Sequence, residues 1–553
     1  VLASGGVRLL SRGLGLAASL LLAAPVLRAD TYPRQPGVDV EHYAFRLSLR
    51  DDTDEIAGEA AVTIRARAGD AGELLLDLAA ATPARAGKGM QVEAVSVDGA
   101  PAAWAHEGDR LRVAFPAAVA VGEARTVAVR YRGTPAGGLR IGPNKHAERT
   151  FFSDNWPDRA RQWLPTVDHP HDKATVEMIV EAPAHYQVVS NGLLVEETDL
   201  PAGLRRTHWR QGVPLASWLY VLGVARFAVQ HLGETRGVPV QTWVYARDRE
   251  AGFFDFAVPT REALEYYAER VGPYAYEKLA SVQSASVRGG MEAATAIFYG
   301  EDAVTGTRAP RWQNVIVHEI AHQWFGNAVT ESDWDDVWLS EGFATYFTLL
   351  FVEHARGREA FREGLARSRQ TVLDFEEKNP GYRIVHDRLH DMSKVTSSHT
   401  YQKGAWVLHM LRGLVGTEAF WRGVREYYRR HRDGNATTVD FRRAMEEASG
   451  LPLGPFFRQW LERGGIPRLA GRWTWDARAR RVTLDLEQTQ PGEPFRLAVE
   501  VGVEEPGQPP RRERVELAER RQRFTLAAGQ APSSIRLDPE GWLLLVEADL
   551  RPR

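Results

Sequence analysis

Residues 318–326 read "HEIAHQWFG", and two histidines and a glutamate in so apolar a stretch need a physical reason. At 3.6 residues per turn, Val315, His318, His322 and Phe325 fall on one stripe, while Val317, Ile320, Ala321 and Trp324 fill another. A helix that is apolar nearly all round is a buried one. Ionisable groups on it are costly to desolvate unless something compensates them, and one metal ion would compensate both imidazoles. His318 and His322 lie one helical turn apart, so both rings can reach a single ion, and Glu319 between them projects towards the same side. Two histidines merely hydrogen-bonded within a core would produce the same pattern.

A tetrahedral catalytic zinc takes a third protein ligand and keeps one position open. Glu341, in "DDVWLSEGFATYF" (335–347), is the candidate: it starts a second apolar-faced segment, with Trp338, Phe343, Ala344 and Phe347 at helical spacing. The 18 residues between His322 and Glu341 are enough for a turn and an antiparallel return. The chain has no cysteine, which excludes disulfides, thiolate ligands and a thiol nucleophile. Any metal must then be held by histidine and carboxylate.

Outward from this region, 553 residues exceed one compact core and predict several domains. Composition is that of a globular chain, 44% hydrophobic and 25% charged, and a formal net charge of −3 gives no reason to expect a nucleic-acid partner. At the start, Arg8 and Arg12 precede the uncharged run "GLGLAASLLLAAPVL" (13–27), followed by "RAD". This reads as a secretory signal peptide over residues 1–29, with Ala29 the last residue removed. The run is shorter than the ~18 residues of a spanning helix, so export to the periplasm or medium without a stable membrane anchor is expected. Losing Arg8, Arg12 and Arg28 and no acid leaves a mildly acidic mature chain.

Residues 30–232 read as a β domain, because "HYAFRLSLR" (42–50), "AVTIRARA" (61–68), "TVAVRYRG" (126–133) and "ATVEMIVEAP" (174–183) alternate apolar with polar residues between turn residues. Over residues 233–464 the period becomes helical, as in "REALEYYAERV" (261–271), "WQNVIVHEIAHQWFG" (312–326), "GAWVLHMLRGLV" (404–415) and "TEAFWRGVREYYRRH" (417–431). Alternation returns over 465–553 in "RVTLDLEQ", "FRLAVEVGV" and "QRFTLAA", predicting a small β-sandwich. The fold class expected is multidomain α+β, with the helical domain between two β domains. "NAT" at Asn435 matches a glycosylation acceptor, a pattern short enough to arise by chance.

"HEIAHQWFGNAVT" (318–330) followed by "WDDVWLSEGFATYF" (334–347) resembles the zinc-binding signature of the M1 family of metallo-aminopeptidases, the gluzincins that include aminopeptidase N and leukotriene A4 hydrolase. "RGGMEAATAIFYG" (288–300) resembles the family's Gly-x-Met-Glu-Asn exopeptidase motif, and "TYQKGAWVLHML" (400–411) the segment with its catalytic tyrosine. "VDVEHYAFRLSL", "ARQWLPTVDHP" and "PFFRQWLERGGIP" also read like family segments in the expected order, so the resemblance covers nearly the whole chain after the leader.

The resemblance implies one zinc ion held by His318, His322 and Glu341, with Glu319 as general base. It makes Tyr401 the donor to the oxyanion and Glu292 the partner of the substrate's α-ammonium. Gly289, Gly290 and Met291 would run along a peptide with a free N-terminus, the two glycines allowing close backbone approach. It also implies a thermolysin-like catalytic domain with a small edge sheet. Three positions depart from the family pattern. Ala293 stands where Asn is usual, and Ser340 replaces a frequent Asn before the third ligand. Asp154 stands near where the N-terminal domain often supplies a Gln or Glu to the amine site. Family relatives also include an epoxide-opening hydrolase and inactive binding scaffolds, which are the alternative functions.

Overall fold

The computed structural model describes residues 30–552, so the leader read over residues 1–29 lies outside the described residues. The strand Ile56–Ala66 buries every second side chain, as its alternation dictates. It belongs to an eight-stranded sheet whose centre is Lys173–Pro183, Val38–Ser48, Ile56–Ala66 and Ala124–Thr134. Val38–Ser48 runs parallel to Lys173–Pro183 with His42 opposite Thr175, and antiparallel to Ile56–Ala66. Tyr43, Phe45, Val62, Ile64 and Tyr131 point inwards and are almost fully buried. Each contributes roughly 1.5–3 kcal/mol of burial free energy.

A five-stranded sheet then runs in the order Phe227–Thr235, Val238–Tyr245, Leu279–Ser284, Ala296–Gly300, Gly290–Met291. The boundary expected at 232/233 falls inside Phe227–Thr235, which pairs with Val238–Tyr245. Strands on the two sides of a domain boundary alternate alike, so periodicity does not mark where one sheet ends and the next begins. Gly290–Met291 forms the edge of this sheet, antiparallel to Ala296–Gly300.

Seven α-helices follow from the same region: α1 (Arg249–Arg270), α2 (Pro310–His322), α3 (Trp338–Lys378), α4 (Gly404–Val415), α5 (Thr417–His431), α6 (Thr438–Ser449) and α7 (Gly454–Leu461). Pro310 starts α2, where its missing N–H costs nothing. Helical character was expected through Gly326, but α2 stops at His322. Gly326 takes φ 113° and its N–H bonds back to Val329 O, turning the chain towards α3. Helix α3 breaks at Gly357 (φ 85°), and its second arm folds onto the first with Gly364 against Leu349, where a Cβ would come within 2.5 Å of Leu349 Cδ2.

The C-terminal region is two facing sheets. One has four strands around Arg468–Asp476 and Arg481–Gln488, and the other has three around Leu497–Glu504. Val482, Leu484, Leu486, Val499 and Val501 fill the space between them. Lys173 of the N-terminal domain is buried against the catalytic domain, its ammonium donating to the carbonyls of Asn327, Ala328 and Gly434. The Asn435 amide is engaged in the same junction, donating to Pro170 O and Glu331 O. Among the described residues no helix is long and apolar enough to cross a membrane.

Candidate metal centre

Helix α2 is buried as its composition requires, and it brings His318 Nε2 within 3.1 Å of His322 Nε2. The return through Gly326 sets the first turn of α3 beside it. Glu341 Oε2 lies 3.5 Å from His318 Nε2 and 3.3 Å from His322 Nε2. Ligand bonds of 2.0–2.1 Å in a tetrahedron give ligand–ligand edges of about 3.3–3.4 Å, so these three atoms are spaced like ligands of one zinc ion. Glu341 Oε2 is buried and has no hydrogen-bond partner, which leaves it available to a cation.

The atoms behind the ligands fix their roles. His322 Nδ1 faces Phe325 O at 3.2 Å and Ser340 Oγ at 3.0 Å, so donation from Nδ1 leaves the Nε2 lone pair facing the centre. A Cβ at Gly326 would lie 2.2 Å from Ser340 Oγ, so only glycine permits this packing. The hydrogen-bonding side chain at 340 therefore supports the candidate ligand His322. Gly342 and Gly404 pack backbone to backbone, a Cβ on Gly404 coming within 3.0 Å of Gly342 Cα. That close approach joins the starts of α3 and α4 and brings Tyr401, in the π-helical turn His399–Lys403, against Glu341. The Tyr401 hydroxyl donates to Glu341 Oε1 at 2.7 Å.

Charge in the cluster is lopsided. Glu292, Glu319, Glu331 and Glu341 are all buried around His318 and His322. Burial pushes Glu319 well above the usual carboxylate range, and the charge of Glu292 adds to it. Burial raises Glu292 to about 7 and Glu331 to about 8. Burial would raise Glu341 too, but the two imidazoles outweigh it and hold the carboxyl at about 2. For His322 burial acts downwards, and Glu292 and Glu341 overcome it to push the imidazole up to about 10. A buried surplus of carboxylate calls for a cation, and a dication between two nitrogens and an oxygen fits both the charge and the donor set. Burial, reinforced by Glu341, raises the Tyr401 phenol well above 10, so it stays a hydrogen-bond donor.

The substrate-binding candidates are placed as follows. A Cβ on Gly290 would lie 2.3 Å from the Glu319 carboxylate, so this glycine makes room for Glu319, whereas the side-chain direction of Gly289 is open. Met291 is buried on the edge strand, and the next residue, Glu292, turns its carboxylate into the cluster with Oε1 buried and without a hydrogen-bond partner. Asp154 is near enough to raise Glu292 further, but its carboxylate is paired with Arg159 at 2.7 Å. Ala293 is buried and makes no side-chain hydrogen bond. The loop is held instead by Gln323 and Asn327, whose amides donate to Glu292 O at 2.9 and 2.7 Å. Sequence reasoning passed over Gln323 and Asn327. Their signal was two amides in the otherwise apolar continuation of "HEIAH". Beside His318, Glu319 and Tyr401 opens a recess of about 370 Å³, lined also by Asn314, Ser368 and Gln402.

Comparison with known proteins agrees with this geometry. Residues 257–460 match the Peptidase family M1 domain and residues 39–219 the Peptidase M1 N-terminal domain, together more than half of the chain. Bovine (Bos taurus) glutamyl aminopeptidase is 30% identical over 331 residues, 57% of this chain and 34% of its own length. Aminopeptidase M1 of Arabidopsis thaliana is 27% identical over 362 residues, 63% of this chain and 40% of its own length. The matched part of the chain thus spans a little over a third of these relatives. The crystal structure of an M1 zinc metallopeptidase from Deinococcus radiodurans superposes with a TM-score of 0.68 at 25% identity, covering 78% of this chain and 95% of that one. A mutant of the same protein bound to a Tyr-Ser-Ala substrate gives a TM-score of 0.65, also at 25% identity, covering 78% and 96%. With two domain matches in order and the same fold around the histidine–glutamate cluster, the chain belongs to peptidase family M1.

Proposed function

We propose that this chain is a zinc aminopeptidase, hydrolysing the first peptide bond of peptides with a free N-terminus. The observation that carries the reading is one constellation: three ligand atoms 3.1–3.5 Å apart, with the carboxylates of Glu319 and Glu292 buried beside them. His318, His322 and Glu341 would hold one ion, which when bound polarises a carbonyl and acidifies water. Glu319 takes the proton of the attacking water and passes it to the leaving amine. Glu292 receives the α-ammonium and sets the register. The recess beside His318, Glu319 and Tyr401 lies open next to the three proposed ligands and gives room for part of a peptide. The reading includes export, with the leader ending at Ala29.

The direct test is removal of the metal. Dialysis against a chelator should abolish hydrolysis of an aminoacyl fluorogenic amide, and one equivalent of zinc per chain should restore it. Undiminished turnover in metal-free protein would end the proposal, and so would full zinc loading with no turnover of any aminoacyl amide, the result expected of a binding scaffold.

Tyr401 gives a finer prediction. Its phenol contacts Glu341 in the resting site and, in this mechanism, turns its donor to the negative charge that develops on the former carbonyl oxygen. Losing one such donor typically costs ~2.7–4 kcal/mol. Tyr401→Phe should lower kcat about 100-fold or more with little change in KM. A tyrosine that only packed the core would instead lower Tm and leave kcat nearly intact.

A further inference from the structure

The recess beside the metal centre has one wall that the proposed mechanism does not use. That wall is the second arm of α3, which turns back at Gly357 and lies along the first arm with Gly364 against Leu349. The arm is fixed from behind. Phe361 and Leu365 are buried, Phe361 with its ring centroid 5.5 Å from that of His409, and Arg358 and Arg362 both pair with Glu540 of the C-terminal sandwich. A side chain on the front of the arm is therefore presented to the recess from a rigid element.

The sequence of the arm, "ARGREAFREGLARSRQ" (355–370), holds five arginines and two glutamates. Four of the arginines are engaged away from the recess. Arg358 and Arg362 serve Glu540, Arg356 donates to Gln313 at 2.8 Å, and the charge of Arg369 acts on Asp538 of the sandwich. Arg367 lines the recess. It lies 3.7 Å from Glu363, but the two side chains are 71% and 62% exposed, and an ion pair so open to water contributes little and gives way readily.

Apart from Glu319, the lining of the recess holds no acidic group among the described residues. It holds donors: the guanidinium of Arg367, the amides of Asn314 and Gln402, and the hydroxyls of Thr345 and Ser368. The two hydroxyl oxygens are buried without a hydrogen-bond partner among the described residues. Amides and hydroxyls adapt to either role, whereas a guanidinium only donates. Such a wall suits an anion. The anionic group that a peptide carries is carboxylate, which a guanidinium binds through two parallel N–H bonds.

We propose that Arg367 is a specificity-determining residue that receives a carboxylate of the substrate in this recess, so that acidic or short free-acid peptides bind better than neutral ones. The inference rests on the aminopeptidase reading and names the substrate class of that same site. The carboxylate comes from the C-terminus of a short peptide or from an acidic side chain, and the group presented to Arg367 is the same.

Three substrate pairs test this on the zinc-loaded full chain. Ala-Ala-Ala as free acid and as C-terminal amide differ in a terminal carboxylate. Ala-Glu-Ala amide and Ala-Gln-Ala amide differ in one on the second residue, and the glutamyl and glutaminyl fluorogenic amides in one on the first. In at least one pair the carboxylated member should have a kcat/KM about 5–10-fold higher, the size of a partly exposed charge-assisted contact, with the difference in KM. The pair that discriminates identifies the source. Arg367→Ala should bring its ratio close to one, Arg367→Lys should keep part of it, and Arg367→Glu should invert it. Salt should shrink the ratio, because Arg367 is exposed. An arginine with a merely structural role would alter Tm or slow both members alike and leave the ratio unchanged. Equal kcat/KM within all three pairs, or a preference that survives both Arg367→Ala and Arg367→Glu, overturns the assignment. Failure of the unmodified enzyme to cleave any of the six substrates overturns the aminopeptidase reading and this inference with it, whereas an active enzyme indifferent to carboxylate overturns this inference alone.

Discussion

Glu319→Gln should bind zinc in the same stoichiometry as the unmodified protein and yet turn over substrate about 10²–10⁴-fold more slowly, the range a general base contributes. In the proposed arrangement the two properties separate, because Glu319 is not among its three ligands. His318, His322 and Glu341 keep their mutual spacing through the α2 register, the Gly326 turn and the Ser340 contact, none of which the substitution touches. Gln keeps the volume and can still hydrogen-bond a water, but it cannot take its proton. His318→Ala or His322→Ala should behave otherwise and lose metal and activity together, since two remaining donors hold an ion far more weakly. Zinc content by mass spectrometry, read beside kcat, checks the pair of results. A zinc-loaded Glu319→Gln enzyme that kept its turnover would remove Glu319 from the chemistry.

Much of this site was legible in the sequence because helical periodicity is local. Spacing of four placed His318 and His322 on one face, and apolar spacing after Trp338 predicted the helix that presents Glu341. The order of segments likewise followed from alternation giving way to helical period and back, and α4 and α5 coincide with the stretches read for them. What was not legible depends on contacts between segments distant in sequence. The stop of α2 at His322 comes from Gly326 closing a turn onto Val329 and packing on Ser340, and a run of apolar residues carries no sign of it. The need for glycine at 290 is set by Glu319, 29 positions further along the chain. The Gln323 and Asn327 amides hold the loop of Glu292, a pairing visible only when the sheet edge and α2 lie side by side. Strand Phe227–Thr235 shows the limit for domain boundaries: its alternation is the same in either sheet, and only its partner, Val238–Tyr245, decides where it belongs.

An N-acetylated peptide should be hydrolysed at least about 10²-fold less efficiently than the same peptide with a free amine. His318, His322, Glu341 and Glu319 would serve equally well in an enzyme that cuts inside chains, so the restriction to the first bond must come from elsewhere. Glu292 is the group placed to impose it. Its backbone is anchored by Gln323 and Asn327, and its Oε1 is buried without a partner. In the proposed reading an arriving α-ammonium pairs with that carboxylate, and the pairing fixes the first peptide bond over the three proposed ligands. A blocked amine forfeits the contact and leaves the buried carboxylate unpaired, a change worth ~3–5 kcal/mol, or about 10² to several times 10³ in kcat/KM. Glu292→Ala should therefore lose most of its activity on the free peptide while the gap to the acetylated one narrows. Asp154→Ala should have a smaller effect, because Arg159 already occupies that carboxylate. The measurement is kcat/KM for both peptides on the three proteins. If the unmodified enzyme cleaves free and acetylated peptides equally, the amine site is not at Glu292 and the chain is not an aminopeptidase, whatever its zinc content.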